Sequence, residues 1–194
     1  MGCFSPTNKM TKKVENEIEK KILTPTSLGL KKDKLVYRGI LFFGLMITPK
    51  GPYVIEYNVR FGDPECQTLL RNLQTDILKI IDYNLKDKLS DLTIRNKKKS
   101  VVCVVVASKG YPGNYKKDKI IENISKAQSI EGIQIFHSGT ALKENKIVSS
   151  GGRVLAITAQ ADSIFRARKM AYKATALIDW KEGFFRNDIG KKNL

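Results

Sequence analysis

The segment from Tyr37 to Gln67, YRGILFFGLMITPKGPYVIEYNVRFGDPECQ, leaves few folds open. A continuous apolar run from Ile40 to Ile47 leads into the turn residues Pro49, Lys50 and Gly51, and a strictly alternating strand follows from Tyr53 to Phe61. This pattern predicts a β-hairpin running into a helix. On the second strand Tyr53, Ile55, Tyr57 and Val59 point one way, and Glu56, Asn58 and Arg60 point the other. A carboxylate, an amide oxygen and a guanidinium on one face suit a hard cation beside phosphate. Mg²⁺ takes oxygen ligands and keeps waters and phosphate oxygens. The arginine fork grips phosphate or carboxylate with two prongs. A solvated sheet face shows the same alternation, so these three residues alone leave both readings open. Gly62 should end the strand, with Asp63 as N-cap and Pro64 as the first helical residue.

Composition excludes several classes. With 194 residues the chain has room for one domain or two small ones. No run approaches the roughly 18 apolar residues of a membrane span, so no membrane partner is expected. Cys3, Cys66 and Cys103 lie far apart with no CxxC pair, which argues against a disulfide framework and fits a reducing cytoplasm. His137 is the single histidine, which excludes a His-rich metal site and disfavours a Ser-His-Asp hydrolase. The net charge of +16 invites a nucleic-acid reading. However, 27 of the 35 basic residues are Lys and 8 are Arg, spread along the whole chain. Base and phosphate readers favour Arg with interleaved aromatics, so no specific nucleic-acid partner is expected.

Along the chain, Thr11 is the expected N-cap of a helix to Leu23, broken or kinked by Pro25. A helical region from Pro64 to Asn84 should bury Leu69, Leu73, Ile77, Ile80 and Ile81. The polar stretch ending in Asn96-Lys97-Lys98-Lys99 is the best boundary, dividing the chain into domains 1–96 and 97–194. Ser100 to Ala107 reads as a fully buried strand. Shorter strands are expected at Ile133–Phe136 and Lys146–Ser149, and a longer one at Arg153–Ala159. A helix capped by Asp162 or Ser163 follows, with Ile164, Ala167, Ala171, Ala174 and Ile178 at helical spacing. These elements make a small α+β domain.

The string E-Y-N-V-R-F-G-D-P-E-C-Q (Glu56 to Gln67) resembles the signature of the phosphoribosylamine–glycine ligase (glycinamide ribonucleotide synthetase) family of ATP-grasp enzymes. Met1-Gly2-Cys3-Phe4-Ser5-Pro6 is similar to that family's M-G-A-Y-S-P, and Tyr37 to Met46 to its Y-x-G-V-L-Y-A-G-L-M strand. Ala107 to Gly113, His137 to Thr140, Gly151 to Leu155 and Arg186 to Gly190 resemble its C-terminal motifs, in the family's order. The resemblance implies an α+β fold: the C-terminal half of an ATP-grasp domain, antiparallel sheet with helices, followed by a small α+β C-terminal domain. It covers only the C-terminal half of the family's polypeptide. The N-terminal domain, the lid with its nucleotide-binding lysine and a loop ending in G-G-M-G lie upstream in that family. The expectation is a chain inactive alone, with a separate N-terminal half as its partner.

The resemblance implies the chemistry as well. The family joins glycine to 5-phosphoribosylamine with ATP through a glycyl phosphate, so ATP, glycine and the sugar amine are the implied small-molecule partners. By resemblance Glu56 and Asn58 match the ligands of Mg²⁺ (or Mn²⁺), and Arg60 is the phosphate-facing catalytic and substrate-binding arginine. Met46 is either part of the adenine pocket wall or core packing. Asp63 is either an N-cap or a substrate ligand, and Arg153 either a substrate-binding cation or half of a structural ion pair. Arg186 and Asp188 read as a tail clasp, and His137 and Cys66 as packing residues. Two other readings remain: a folded remnant without catalysis, acting as a scaffold, and a basic nucleic-acid-associated protein.

Overall fold

The computed structural model describes residues 1–191. In chain order its first elements are β1 (Gly2–Ser5), α1 (Lys12–Ile18), α2 (Thr24–Lys32), β2 (Phe42–Thr48), β3 (Gly51–Asn58), α3 (Glu65–Asn72) and α4 (Ile77–Leu85). Then follow β4 (Ser100–Ser108), α5 (Ile124–Gln128), β5 (Ile133–His137), β6 (Thr140–Lys143), β7 (Lys146–Ser149), β8 (Arg153–Ala161), α6 (Ile164–Thr175) and β9 (Gly183–Phe184). These elements form two compact units that interleave along the chain. One holds Thr7–Gly62 and Gln74–Arg95; the other holds Met1–Pro6, Asp63–Leu73 and the residues from Asn96 onward. A single cut after residue 96 does not reproduce this grouping.

The unit containing Thr7–Gly62 is built on the β2–β3 hairpin. Thr11 caps α1 as expected, its hydroxyl accepting from the Val14 N–H at 3.3 Å. Pro25 does not break the helix. A π-helical turn, Glu19–Leu23, comes just before it and the helix runs on to Lys32. Proline lacks an N–H and crowds the carbonyl four residues back, and the wider turn accommodates both. In the hairpin Thr48 pairs with Gly51, leaving Pro49 and Lys50 as a two-residue turn. Gly51 sits at φ +112, which its lack of a Cβ permits. The alternation is not strict. Gly44 pairs with Glu56 but Leu45 with Val54, so Ile55 is the extra residue of a bulge. The strand also stops at Asn58, and Val59 and Arg60 lie in a bend beyond it.

The helical region expected from Pro64 to Asn84 is two helices belonging to different units. Leu73 leaves α3 in an extended conformation and bridges to Asn96, and Asp76 then caps α4 by accepting from the Leu78 N–H at 2.8 Å. Leu69 and Ile81, expected to be buried, are exposed.

The second unit carries the core. Its antiparallel sheet has the order β1-β4-β8-β5, with β9 pairing the end of β4. All nine residues of β4 are buried. Val102, Val104 and Val106 pack with Ile164, Ala167, Ala171 and Ala174 of α6. On the alternate positions Cys103 and Val105 cluster with Ala156, Met1, Cys3 and Phe136. Both faces being covered, the strand reads as an unbroken apolar run. Ser163, rather than Asp162, caps α6, accepting from the Arg166 N–H at 3.3 Å. Hairpin β6–β7 turns on Glu144 and Asn145, both at positive φ, as a two-residue primed turn requires.

Leu155, fully buried on β8, sits in this core, whereas Leu78 on α4 is 70 % exposed. Leu155→Ala should cost about 2–5 kcal/mol of stability. Leu78→Ala should change it by no more than about 0.5 kcal/mol. Urea unfolding of the two variants beside the parent chain checks both values.

Candidate active site

On the hairpin, Gly44 lies directly across from Glu56. A Cβ on residue 44 would fall 2.8 Å from Glu56 Cγ, so the glycine makes room for the acid to lie over the neighbouring strand. Asn58 Nδ2 donates to Glu56 Oε1 at 2.9 Å, joining the two side chains on one face. That bond uses one carboxylate oxygen and the amide nitrogen. Glu56 Oε2 and Asn58 Oδ1 accept no hydrogen bond among the described residues. Two oxygens of this kind, on an exposed strand, match the donor chemistry of Mg²⁺. No group of three or more His, Cys, Asp or Glu side chains placed to hold a metal occurs among the described residues. The pair therefore fits a cation that completes its shell with water or phosphate oxygens. Tyr57 steadies the strand, its ring edge-on to Phe43 at 5.2 Å and its hydroxyl 3.2 Å from Thr26 Oγ1.

Two candidates are placed differently from the sequence expectation. Arg60 does not share the strand face of Glu56 and Asn58. It lies in the bend after β3, and its Nη1 donates to the Phe61 carbonyl at 2.7 Å. Met46 is not core packing: it pairs with Tyr53 and is 53 % exposed.

In the other unit Asp63 is not an N-cap. Pro64 holds that position and no side chain caps α3. Asp63 Oδ2 instead accepts from Arg153 Nη2 at 3.0 Å, its carbonyl from Arg153 Nη1 at 3.2 Å, and its Oδ1 from Gln67 Nε2 at 3.0 Å. Arg153 is thus half of an ion pair that ties the loop before α3 to the start of β8. Gln67 was missed as a partner, although its place four residues after Asp63 in D-P-E-C-Q was a usable signal.

The glycine-containing motifs of this unit come together. The Ser108 hydroxyl donates to the Gly151 carbonyl at 2.8 Å, and the Gly139 N–H donates to the Arg153 carbonyl at 2.9 Å. A Cβ on Gly152 would lie 2.2 Å from the ring of Tyr111, so the ring rests on bare backbone. His137 is exposed rather than packed, with Nδ1 3.0 Å from Thr140 Oγ1. Arg186 and Asp188 form the expected clasp, bonded at 2.8 and 2.5 Å. Arg168 and Tyr172 of α6 bind the carbonyls of Arg186, Asn187 and Ile189 beside them.

Residues 1–66 match the model of the phosphoribosylglycinamide synthetase ATP-grasp (A) domain, and residues 101–192 match that of the same enzyme's C domain. The chain belongs to the phosphoribosylglycinamide synthetase family. Among its relatives are the phosphoribosylamine–glycine ligase of Brucella melitensis, 45 % identical over 98 % of this chain and 44 % of its own length, and the chloroplastic ligase of Arabidopsis thaliana, 42 % identical over 100 % and 37 %. The crystal structure of phosphoribosylamine–glycine ligase from Thermotoga maritima superposes with a TM-score of 0.83 at 31 % identity, covering 97 % of this chain and 46 % of that one. The chain therefore spans less than half the length of each of these family members. The fold is α+β and includes part of an ATP-grasp domain, as the motifs implied.

Because Tyr111 packs on Gly152, Gly152→Ala should destabilise the chain by about 1–3 kcal/mol through overpacking. In a Tyr111→Ala background the same change should cost much less. A double-mutant cycle in urea measures the difference.

Proposed function

We propose that this chain supplies part of an ATP-dependent ligase that joins glycine to 5-phosphoribosylamine in purine biosynthesis, and that it does not carry out the reaction alone. The observation that carries this reading is the Glu56–Asn58 pair laid over Gly44, within a chain that matches both family models. In the reaction glycine's carboxylate attacks the γ-phosphate of ATP, giving glycyl phosphate and ADP. The sugar amine then displaces phosphate to form the amide. Both steps gather negative charge on phosphoryl oxygens, so positioning and neutralisation carry most of the catalysis.

Glu56 and Asn58 are the proposed ligands of Mg²⁺ or Mn²⁺. An ion held there would neutralise charge on the ATP phosphates. Met46 contributes to the wall beside adenine. Arg60 is the proposed catalytic and substrate-binding arginine; released from the Phe61 carbonyl, its guanidinium offers two prongs to phosphate. Asp63 and Arg153 are assigned to substrate binding as a pair, each fixing the geometry of the other. The proposed family domain boundary stays at 96/97, between the segments that match the two models.

The proposed partner is the polypeptide corresponding to the N-terminal half of the relatives, whether joined to this chain or separate. The hairpin unit supports it: of its large apolar side chains only Ile18 and Ile22 are buried among the described residues. Tyr53, Ile55, Tyr57, Val59, Leu78 and Leu85 are exposed there, an apolar surface of the kind that marks an interface. No helix among the described residues is long and apolar enough to cross a membrane. The proposed compartment is the cytoplasm. The charge of +16 is assigned no specific nucleic-acid site, and binding to DNA or RNA should be sequence-blind and lost at physiological salt.

The purified chain alone should release no ADP in response to glycine and phosphoribosylamine; turnover that depends on both substrates would overturn the proposal. In the enzyme completed with an N-terminal half, Glu56→Ala should abolish turnover across a Mg²⁺ titration, and Asn58→Ala should lower it strongly. Arg60→Lys keeps the charge but loses the planar grip. It should lower kcat more than it weakens ATP binding; equal losses would mark a ground-state anchor instead.

A further inference from the structure

Strand β1 places Cys3 directly opposite Cys103 of β4 in an antiparallel pair. Residues facing one another this way share a side of the sheet, with Cα atoms about 4.5–5.5 Å apart. That spacing falls inside the roughly 4.4–6.8 Å range over which a disulfide closes. Both thiols are free. They belong to one small cluster with Val105, Ala156, Met1 and Phe136, so nothing stands between the two strands at this point.

The two thiols are unequal. Cys103 is fully buried in the middle of β4, while Cys3 is half-buried on β1, the edge strand of the sheet. Cys3 Sγ lies 2.8 Å from Thr68 Oγ1 and 3.4 Å from the Pro64 carbonyl. The hydrogen bond from the Cys103 thiol, helped by Thr68, holds the Cys3 thiol below its usual range against the opposing effect of burial. The same contact, together with burial, pushes the Cys103 thiol well above its own. The Cys3 thiol is thereby the more acidic of the two, and Cys103 holds its proton more firmly. Cys66, half-buried on α3, has no cysteine opposite it, and burial raises its thiol.

We propose that Cys3 and Cys103 are a modification site, a cross-strand dithiol that hydrogen peroxide converts to an intramolecular disulfide. The Cys3 thiolate attacks one oxygen of peroxide and breaks the O–O bond. Cys3 becomes a sulfenic acid and hydroxide leaves. The Cys103 sulfur then attacks the Cys3 sulfur, the S–O bond breaks, and the thiol proton leaves with the oxygen as water. Overall two thiols and one peroxide give one disulfide and two waters, the sulfurs being oxidised and the peroxide reduced. Only Cys3 must meet the oxidant, since the second step occurs between neighbours already in place. In a reducing compartment the pair rests as thiols and closes only when peroxide rises.

The test uses the full chain, fully reduced and then treated with equimolar hydrogen peroxide. Free thiols are alkylated, and the protein is digested without reductant for mass spectrometry. The Cys3 peptide should appear joined to the Cys103 peptide, with the intact chain lighter by two hydrogen atoms, Cys66 alkylated, and the link removed by dithiothreitol. Cys3→Ala, which restores the residue of the resembling M-G-A-Y-S-P segment, should abolish the linked peptide, and Cys66→Ser should leave it unchanged. Cys3 ending as sulfinic acid with Cys103 still alkylatable would overturn the proposal. So would a Cys3–Cys66 link, a link between two chains, or three thiols that all stay reduced.

Discussion

Burial of β4 on every side is the constraint from which the larger unit follows. Nine consecutive residues with no charged side chain leave no face for water. Each buried N–H and carbonyl along it must also find a partner. Strand β8 serves one edge for nearly the whole length. The other edge is shared: β1 pairs with Val101 to Val104, and β9 with Ala107 and Ser108. A strand of four residues and one of two, from opposite ends of the chain, are held in place by the same hydrogen-bonding demand. Above the sheet, α6 turns Ala167, Ala171 and Ala174 towards the valines. Small side chains there let helix and sheet close up to the density of a protein interior.

The hairpin unit has no equivalent. Ile18 of α1 and Ile22 of the π turn after it are buried, and much of its remaining apolar surface meets solvent. Its order comes from local devices instead: the Thr11 cap, the two-residue turn closed by Thr48, and the Phe43–Tyr57 ring contact. To these is added the two-pronged Arg38–Asp87 pair, with bonds of 2.8 and 2.5 Å that hold the Asp87 carboxyl below its usual range. Exposed pairs of this kind contribute little to stability, because solvent and salt screen them. The exposed apolar side chains are the larger reservoir of free energy, and the proposed N-terminal partner would draw on it.

Much of this was legible in the residues. Two-sided burial of the strand from Ser100 to Ala107, the helical spacing of Ile164 to Ala174, the hairpin and the acid–amide pair all follow from periodicity. Short partners were not legible. Gly2–Ser5 is too short for a period, and its pairing depends on a strand about a hundred residues away. Thr140–Lys143 was missed because its turn uses Glu144-Asn145 rather than a glycine. The break between α3 and α4 was hidden because Leu69, Leu73, Ile77 and Ile81 sustain helical spacing across it. The extended backbone at Leu73, its long-range bridge to Asn96 and the Asp76 cap show that the chain has left the helix. Pro25 misled for the opposite reason: a local signal for a break was absorbed by one π turn.

Arg60 carries the most informative discrepancy. Alternation places it beside Glu56 and Asn58, yet β3 ends before it because the chain passes from one compact unit to the other between Gly62 and Asp63. The chain bends at residues 59–60, in the four-residue span that separates β3 from the second unit. Within that span Arg60 bonds the carbonyl of its own neighbour, and Asp63, at its far end, is fixed by Arg153 and Gln67. The signature E-Y-N-V-R-F-G-D-P-E therefore contains two kinds of residue. Glu56 and Asn58 are set by strand geometry and Asp63 by an ion pair. Arg60, with Val59, Phe61 and Gly62, stands on backbone that neither the β2–β3 ladder nor α3 holds, and its guanidinium bonds the Phe61 carbonyl beside it.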